Sequence, residues 1–373
     1  MTKNENFKND VTLLLTIFER KKYTLRWLNY ANQLKIPLNI FISDGSKQKQ
    51  LTNLELKQYK NLKIHYKKFK YYKNFKKYSE KFFLSLKFLK TKYVFLCEDD
   101  DFIILKNIYK SYLFLENNKN FIASGGVNLY CDLKVKINNT FNYLYFFQYD
   151  NQYLPDTRII NNRNCVKRII KNTKNPYACW NILFRTKVLK KIFYHLNYLN
   201  IKNYYNVELI HGFLTALYGQ VNRFNHLEYI KTADTEYSSS RMFMESKLFG
   251  NYLLNGKKEA YKILLYFFTK YKNKIGTKNF KRIKNVFIKK ITDDYNKKKL
   301  DENNNRVFKT KFIQTNFFFL KKIKYFKLLF KKNYHKKIFF ASYKEKKTLK
   351  NSLNEIIDLM NFLKRNNSFL SKF

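Results

Sequence analysis

Residues 93–103 read YVFLCEDDDFI: an apolar run, Tyr93 to Cys97, leads straight into four consecutive acids, Glu98, Asp99, Asp100 and Asp101. The run is short, aromatic and aliphatic, and reads as a buried strand. Carboxylates at its end repel one another, so burying them together is costly unless a cation neutralises them. Oxygen-only ligands suit a hard divalent ion, Mn2+ or Mg2+, which also takes substrate phosphate oxygens. The competing reading is a solvated turn ahead of a helix starting near Ile104, whose N-terminal dipole favours acids. With 27 acidic against 75 basic residues, such a cluster stands out, and the metal site is the favoured reading.

The flanking sequence supplies a sheet for this strand. Val11 to Ile17 (VTLLLTI) is apolar on both faces, as in a buried parallel strand. A charged turn, Glu19-Arg20-Lys21-Lys22, leads to Tyr23–Leu34, with Leu25, Leu28 and Ala31 at helical spacing. A second strand, Leu38–Ile42, ends in the turn Ser43-Asp44-Gly45-Ser46. Leu62–Tyr66 is a third strand and Asn74–Leu89 a helix. This order predicts an α/β fold with a mostly parallel, Rossmann-like sheet. Ligands bind beyond the carboxyl ends of such strands, where Thr16 to Arg20, Asp44 to Ser46 and the acidic turn should converge.

Downstream, the pattern predicts a helix over Ile104–Asn117 and a strand over Phe121–Ser124 closed by Gly125-Gly126. Another strand is expected over Trp180–Phe184, with helices over Lys187–Tyr198 and Val207–Tyr218, the latter ending at Gly219. From Ser238 the composition shifts to helical, lysine-rich segments: Met242–Lys272, the basic aromatic stretch Phe317–Lys332, and an amphipathic Leu349–Leu363. Residues 1–237 are therefore expected to form the α/β domain, and 238–373 a helical C-terminal module.

Three stretches together carry a family likeness: VTLLLTIFER (11–20), IFISDGS (40–46) and YVFLCEDDDFIIL (93–105). The series resembles the nucleotide-sugar half of GT-A-fold glycosyltransferases of the family 2 type, closest to bacterial glycosyltransferase-domain proteins with a DDDF sequence. The resemblance implies a GT-A (nucleotide-diphospho-sugar transferase) fold. It also implies metal-dependent transfer of a sugar from a nucleotide-diphosphate donor to an acceptor hydroxyl of a glycan or a lipid-linked glycan, in surface glycan synthesis, with inversion. Thr16, Phe18 and Glu19 match the segment that holds base and ribose, Asp44 the acid that contacts the base, and the acidic turn the D-x-D element. Strand alternation favours Asp99 and Asp101 as the metal pair. Alignment of the following apolar segment instead makes Asp100 the ligand and Asp99 a ribose contact, so the trio Asp99, Asp100 and Asp101 stands as the expected metal site. The family's general base lies on a later helix, where Glu208 occupies the place without the Asp that usually follows. Asp156 and Asp234 are lesser candidates; His211 is an auxiliary one, and Arg158, Arg185 and Arg241 are diphosphate partners to choose among.

The net charge of +48 accompanies 31 Tyr, 37 Phe and abundant Asn and Ile, residues with AT-rich codons, and the lysines are spread along the chain. Coding bias accounts for that excess, so nucleic acid is not the expected partner. The alternative function is a basic protein without catalysis that binds nucleic acid or a membrane surface through stretches such as Phe317–Lys332. Four cysteines without C-x-x-C spacing point to neither zinc nor a disulfide framework. No apolar run approaches a membrane span, and residues 1–10 are polar. A cytoplasmic protein is expected, with peripheral contact at the inner membrane face as a further option.

Overall fold

A computed structural model describes residues 3–71, 75–132, 135–137, 140–142, 146–149, 159–173, 180–202, 204–232, 249–293, 339–340, 358, 359 and 362. Helix α1 (Lys3–Asp10) leads into β1 (Val11–Ile17), whose seven residues are all buried. There follow α2 (Lys21–Gln33), β2 (Asn39–Asp44), α3 (Asn53–Lys57), β3 (Lys63–Lys68), α4 (Phe75–Phe88) and β4 (Tyr93–Glu98). The two-residue β5 (Phe102–Ile103) precedes α5 (Leu105–Asn117) and β6 (Phe121–Asp132). Short strands β7 (Val135–Ile137), β8 (Thr140–Asn142) and β9 (Phe146–Tyr149) come next. The later elements are α6 (Cys165–Thr173), β10 (Leu183–Arg185), α7 (Thr186–Tyr198), α8 (Tyr204–Tyr218), β11 (Gln220–Thr232), α9 (Phe249–Ile275) and β12 (Phe339–Phe340). Residues 277–293 are also helical.

The fold is α/β, as expected. Strands β3, β2, β1 and β4 are neighbours in that order and all parallel. Beyond β4 the sheet is mixed: β10 is antiparallel to β4 and β6, while β6 and β11 are parallel. Because the chain moves outward from β1 to β3 and then returns to β1's other side with β4, the strand order reverses at β1. Such a reversal opens a crevice beyond the carboxyl ends.

Side-chain alternation sorts the central strands onto two cores. Leu13, Leu15, Phe95 and Cys97 face a first core with Trp27, Leu28 and Ala31 of α2 and Ile108 and Leu115 of α5. Leu14, Val94 and Leu96 face a second, with Phe82 and Leu86 of α4, Phe193 of α7, Ile210 of α8 and Phe267 of α9. Fully burying a side chain such as Phe95 contributes about 2–3 kcal/mol. Leu359 and Phe362, 1% and 3% exposed, join the first core, where Phe362 lies 5.4 Å from the Tyr30 ring and 6.4 Å from Phe102.

Three expectations need correction. Gly125-Gly126 does not close a strand: β6 runs through both to Asp132. A Cβ at Gly125 would meet Ile182 Cγ2 at 2.3 Å and one at Gly126 the His226 carbonyl at 2.2 Å, so the glycines admit neighbours that approach the strand closely. The strand expected from Trp180 begins only at Leu183. The longest strand, β11, was not foreseen, because QVNRFNHLEYIKT does not alternate cleanly and carries register shifts against β6. The boundary at 237/238, the stretch Phe317–Lys332 and most of Leu349–Leu363 lie outside the described residues. Among the described residues no helix is long and apolar enough to cross a membrane.

Candidate active site

Parallel pairing brings three strand ends level. Thr16 of β1 is in register with Ser43 of β2 and Glu98 of β4, and Ile17 with Asp44. Immediately beyond β4 the backbone turns, with the Asp101 amide donating to the Glu98 carbonyl at 3.4 Å. This turn replaces the strand alternation assumed from sequence and groups the acids differently. Carboxylate oxygens of Glu98, Asp100 and Asp101 lie within 4.8 Å of one another. Asp99 instead points at α2, where its oxygens meet Arg20 Nη2 at 2.6 Å and the Thr24 hydroxyl, which donates at 2.8 Å.

The acids are buried: Asp99, Asp100 and Asp101 are 0%, 3% and 4% exposed. Burial pushes the Asp99 carboxyl up to about 7, with Arg20 opposing and Asp100 and Glu98 adding. Burial, reinforced by Asp100, also raises Asp101 and Glu98 above the usual carboxylate range. Burial and mutual repulsion therefore both oppose the charge on these acids.

The cations that are present come from the turn before α2, from α2 itself and from α4. Arg20, in the charged turn before α2, donates Nη1 to Asp100 Oδ2 at 2.6 Å while its Nη2 reaches Asp99. Burial opposes its charge, but Asp99, Asp100, Glu98 and Asp101 outweigh that and hold it firmly protonated. Arg26 donates to the Asp100 carbonyl at 2.6 Å and lies over the Phe102 ring, 4.9 Å from its centroid. From α4, Lys81 Nζ donates to the Ile17 and Ser43 carbonyls at 3.2 and 3.5 Å, among the ends of β1 and β2. Burial lowers Lys81 to about 7, against the pull of Asp44 and Asp99. On the far side, the Thr232 amide donates to Asp101 Oδ1 at 2.9 Å and the Glu98 amide to the Tyr229 hydroxyl at 3.0 Å. None of Arg20, Arg26, Lys81, Tyr229 and Thr232 was picked out individually from sequence.

Asp44 is fully buried and organises its own turn, accepting from the Ser46 amide at 2.8 Å, the Gln50 amide at 3.1 Å and the Tyr66 hydroxyl. Glu19 adopts a left-handed backbone, φ 51°, which non-glycine residues hold only under constraint. Its amide donates to Ser46 Oγ at 2.8 Å and its carboxylate accepts from the Lys47 amide, tying the β1 and β2 loops together. Phe18 stacks on Tyr71 with centroids 5.8 Å apart, forming an aromatic wall beside these loops. Thr16, Phe18, Glu19, Asp44 and the acidic turn thus share one edge of the sheet.

Glu208 is half-buried in the first half of α8, between the buried Val207 and Leu209, and α8 packs mainly on α6 and α7. His211, one turn on, is fully buried and stacked on Trp180 at 4.4 Å. Burial holds it near 3, so it stays neutral among Trp180, Phe184 and Phe193. Arg185 lies away from the acidic turn: it donates to the Phe121 and Leu115 carbonyls at 2.8 and 2.6 Å, at the amino-terminal edge of the parallel strands. Asp156, Arg158, Asp234 and Arg241 lie outside the described residues.

No family model and no curated protein matches the sequence. Solved structures that resemble the chain include S. aureus TarS 1-349 in complex with UDP-GlcNAc. That structure is 13% identical, with 76% of this chain and 81% of that one covered, at a TM-score of 0.38. Another is the mannosyltransferase PcManGT from Pyrobaculum calidifontis in complex with GDP-Man and Mn2+, 8% identical, with 70% and 64% covered, at a TM-score of 0.38. Against a longer TarS structure the chain spans only 43% of that protein's length. Likeness at these TM-scores carries no functional weight, and the chemistry rests on the residues themselves.

The donor set fits a hard cation. The carboxylate oxygens of Glu98, Asp100 and Asp101, all within 4.8 Å of one another, could close on one such ion, whose neighbouring ligands sit about 3 Å apart. Every candidate ligand is an oxygen, and burial beside one another raises Glu98 and Asp101, a cost that a cation held among them would offset.

Proposed function

We propose that this chain is a glycosyltransferase that moves a sugar from a nucleotide-diphosphate donor to an acceptor hydroxyl, using Mn2+ or Mg2+. The observation that carries the reading is the cluster of Glu98 and the buried Asp100 and Asp101 at the carboxyl edge of β4, beside the strand-order reversal. Metal-binding carboxylates at this edge suit a pyrophosphate.

Glu98, Asp100 and Asp101 would hold the cation, which supplies positive charge opposite the leaving diphosphate. Arg20 fixes Asp99 and Asp100 from behind, so the acids keep their spacing without reorganising when a substrate arrives. Lys81 carries a second charge to the ends of β1 and β2 and binds the phosphates from that side. The loops joined by Glu19, Asp44 and Ser46, with the Phe18–Tyr71 wall, receive the base and ribose. Glu208 is the proposed base, taking the acceptor's proton onto its carboxylate as the acceptor oxygen bonds to the anomeric carbon. The bond from that carbon to the diphosphate breaks, its electron pair leaves with the nucleotide, and a single displacement inverts the centre. The acceptor is proposed to be a glycan or a lipid-linked glycan of the cell surface.

The test is hydrolysis and transfer with UDP-, GDP- and CDP-sugars, with Mn2+ or EDTA. Asp100→Asn and Asp101→Asn are expected to lose at least about a hundredfold in kcat/KM, an electrostatic contribution of roughly 3 kcal/mol. Glu208→Gln should lower kcat and leave donor KM intact. Activity that survives each substitution, or is indifferent to EDTA, removes the proposal.

A further inference from the structure

At the opposite edge of the sheet from the acidic turn, the end of α4, one side of α7 and the end of α9 build a continuous basic and aromatic face. Two adjoining depressions share Lys87 and Lys190. The first adds Lys90, Lys92 and Lys187 around the start of β4, and the second Lys191 and Lys270 with Phe83, Tyr194 and Tyr271. No Asp or Glu occurs in residues 81–97, 183–202 or 260–292, the stretches that supply this face. Glu116, paired with Lys92 at 2.5 Å, is the acid at its rim.

The aromatics are arranged as a mat and not as separate platforms. Tyr194 and Tyr198, 47% and 62% exposed, stack on each other at 6.2 Å, and Phe83 lies 6.0 Å from Tyr194. Lys87 and Lys270 lie over the Phe83 and Tyr266 rings, 4.4 and 5.6 Å from the centroids. Long basic side chains lying across amphipathic rings suit an interface whose one side is apolar and whose other side is wet.

We infer that this face docks the protein on an anionic phospholipid surface. A phosphodiester strand is the rival partner, and two observations disfavour it. Tyr194 and Tyr198 stack on each other, which takes one face of each ring from any base. Arg185, the arginine lining the face, spends its planar fork on the Phe121 and Leu115 carbonyls, which leaves lysines that act as point charges. Point charges spread over a broad face match the smeared potential of a lipid headgroup layer. Docking by this edge leaves the acidic turn about 20 Å away along β4 and unobstructed, so the inference stands whether or not the chain transfers sugars.

With a net charge of +48, some attraction to any anionic vesicle is expected, so the test compares patches of equal charge. The full chain is sedimented with phosphatidylcholine vesicles, with and without phosphatidylglycerol, at low and at raised salt. Lys90→Gln/Lys187→Gln/Lys191→Gln alters the face, while Lys57→Gln/Lys106→Gln/Lys110→Gln removes the same charge from exposed positions on the other layer. At about fivefold per lysine held at the surface, the first triple should lose roughly a hundredfold in affinity for anionic vesicles and the second far less. Tyr194→Ala/Tyr198→Ala should abolish the binding that persists at raised salt. Equal losses from both triples, equal binding to neutral vesicles, or capture by a single-stranded oligonucleotide through the same lysines in preference to vesicles each overturns the inference.

Discussion

Replacing Arg20 with methionine removes the guanidinium from between Asp99 and Asp100 while keeping most of the side chain's bulk. Both contacts are 2.6 Å and the arginine is 9% exposed, so the carboxylates are left buried without their partner. Breaking a buried pair from one side costs about 3–5 kcal/mol, equivalent to a fall in Tm of roughly 10 °C. The sign with pH follows from Asp99, whose carboxyl burial already raises to about 7 while Arg20 pulls it down. A carboxyl raised in the folded state contributes stability that is fully present below its unfolded pKa and lost as pH rises through the folded value. Without Arg20 that value climbs further, so the deficit of Arg20→Met is expected to be largest above about pH 8 and to shrink toward about pH 5, where Asp99 is protonated in either protein. Urea unfolding of both proteins in EDTA across that range measures it. Arg20→Lys, a point donor that cannot span both acids, should keep about half of the stability difference. An Arg20→Met protein as stable as the parent at high pH, or one with the same deficit at every pH, refutes the claim that this ion pair neutralises the acidic turn.

Lys81→Met removes the second charge of the crevice, and UDP affinity measured by titration calorimetry should fall at least about tenfold, the worth of a charged hydrogen bond. Because burial holds Lys81 near 7, parent affinity should also weaken as pH rises through neutrality, and the variant's should not. His211→Phe should leave activity unchanged and flatten acid unfolding. A histidine depressed to about 3 contributes stability that is present above its unfolded pKa and lost as pH falls toward the folded one. Gly126→Ala should cost about 1–3 kcal/mol by overpacking, since its Cβ would meet the His226 carbonyl at 2.2 Å and backbone cannot swing aside.

The parallel half of the fold was legible because its apolar runs are bounded by clear punctuation. Val11–Ile17 is β1 to the residue, and the expected Tyr93–Cys97 differs from β4 only by Glu98. The placing of the acidic turn at the sheet's edge followed from those runs alone. Its internal grouping did not follow, because side-chain alternation holds in a strand and fails in the turn that begins after Glu98. Charge was the least reliable guide: in a chain crowded with cations nothing local marks Arg26 or Lys81, yet they and Arg20 are each at most 9% exposed. What distinguishes them is a partner distant in sequence, and local pattern carries no record of it. β11 escaped notice for a related reason, since it is held by pairing with β6 through bulges and not by its own periodicity.

Phe362 packs against Tyr30 and Phe102, so the residue that follows the acidic turn is braced by one 260 positions further along the chain. During synthesis, the parallel strands β1 to β4 are complete long before that brace leaves the ribosome. The nascent protein therefore holds its cluster of negative charge against a half-finished wall until Phe362 has emerged. Ribosome-bound intermediates of this chain should accordingly protect β1 and β2 early, and the backbone around Phe102 only once Phe362 has left the exit tunnel.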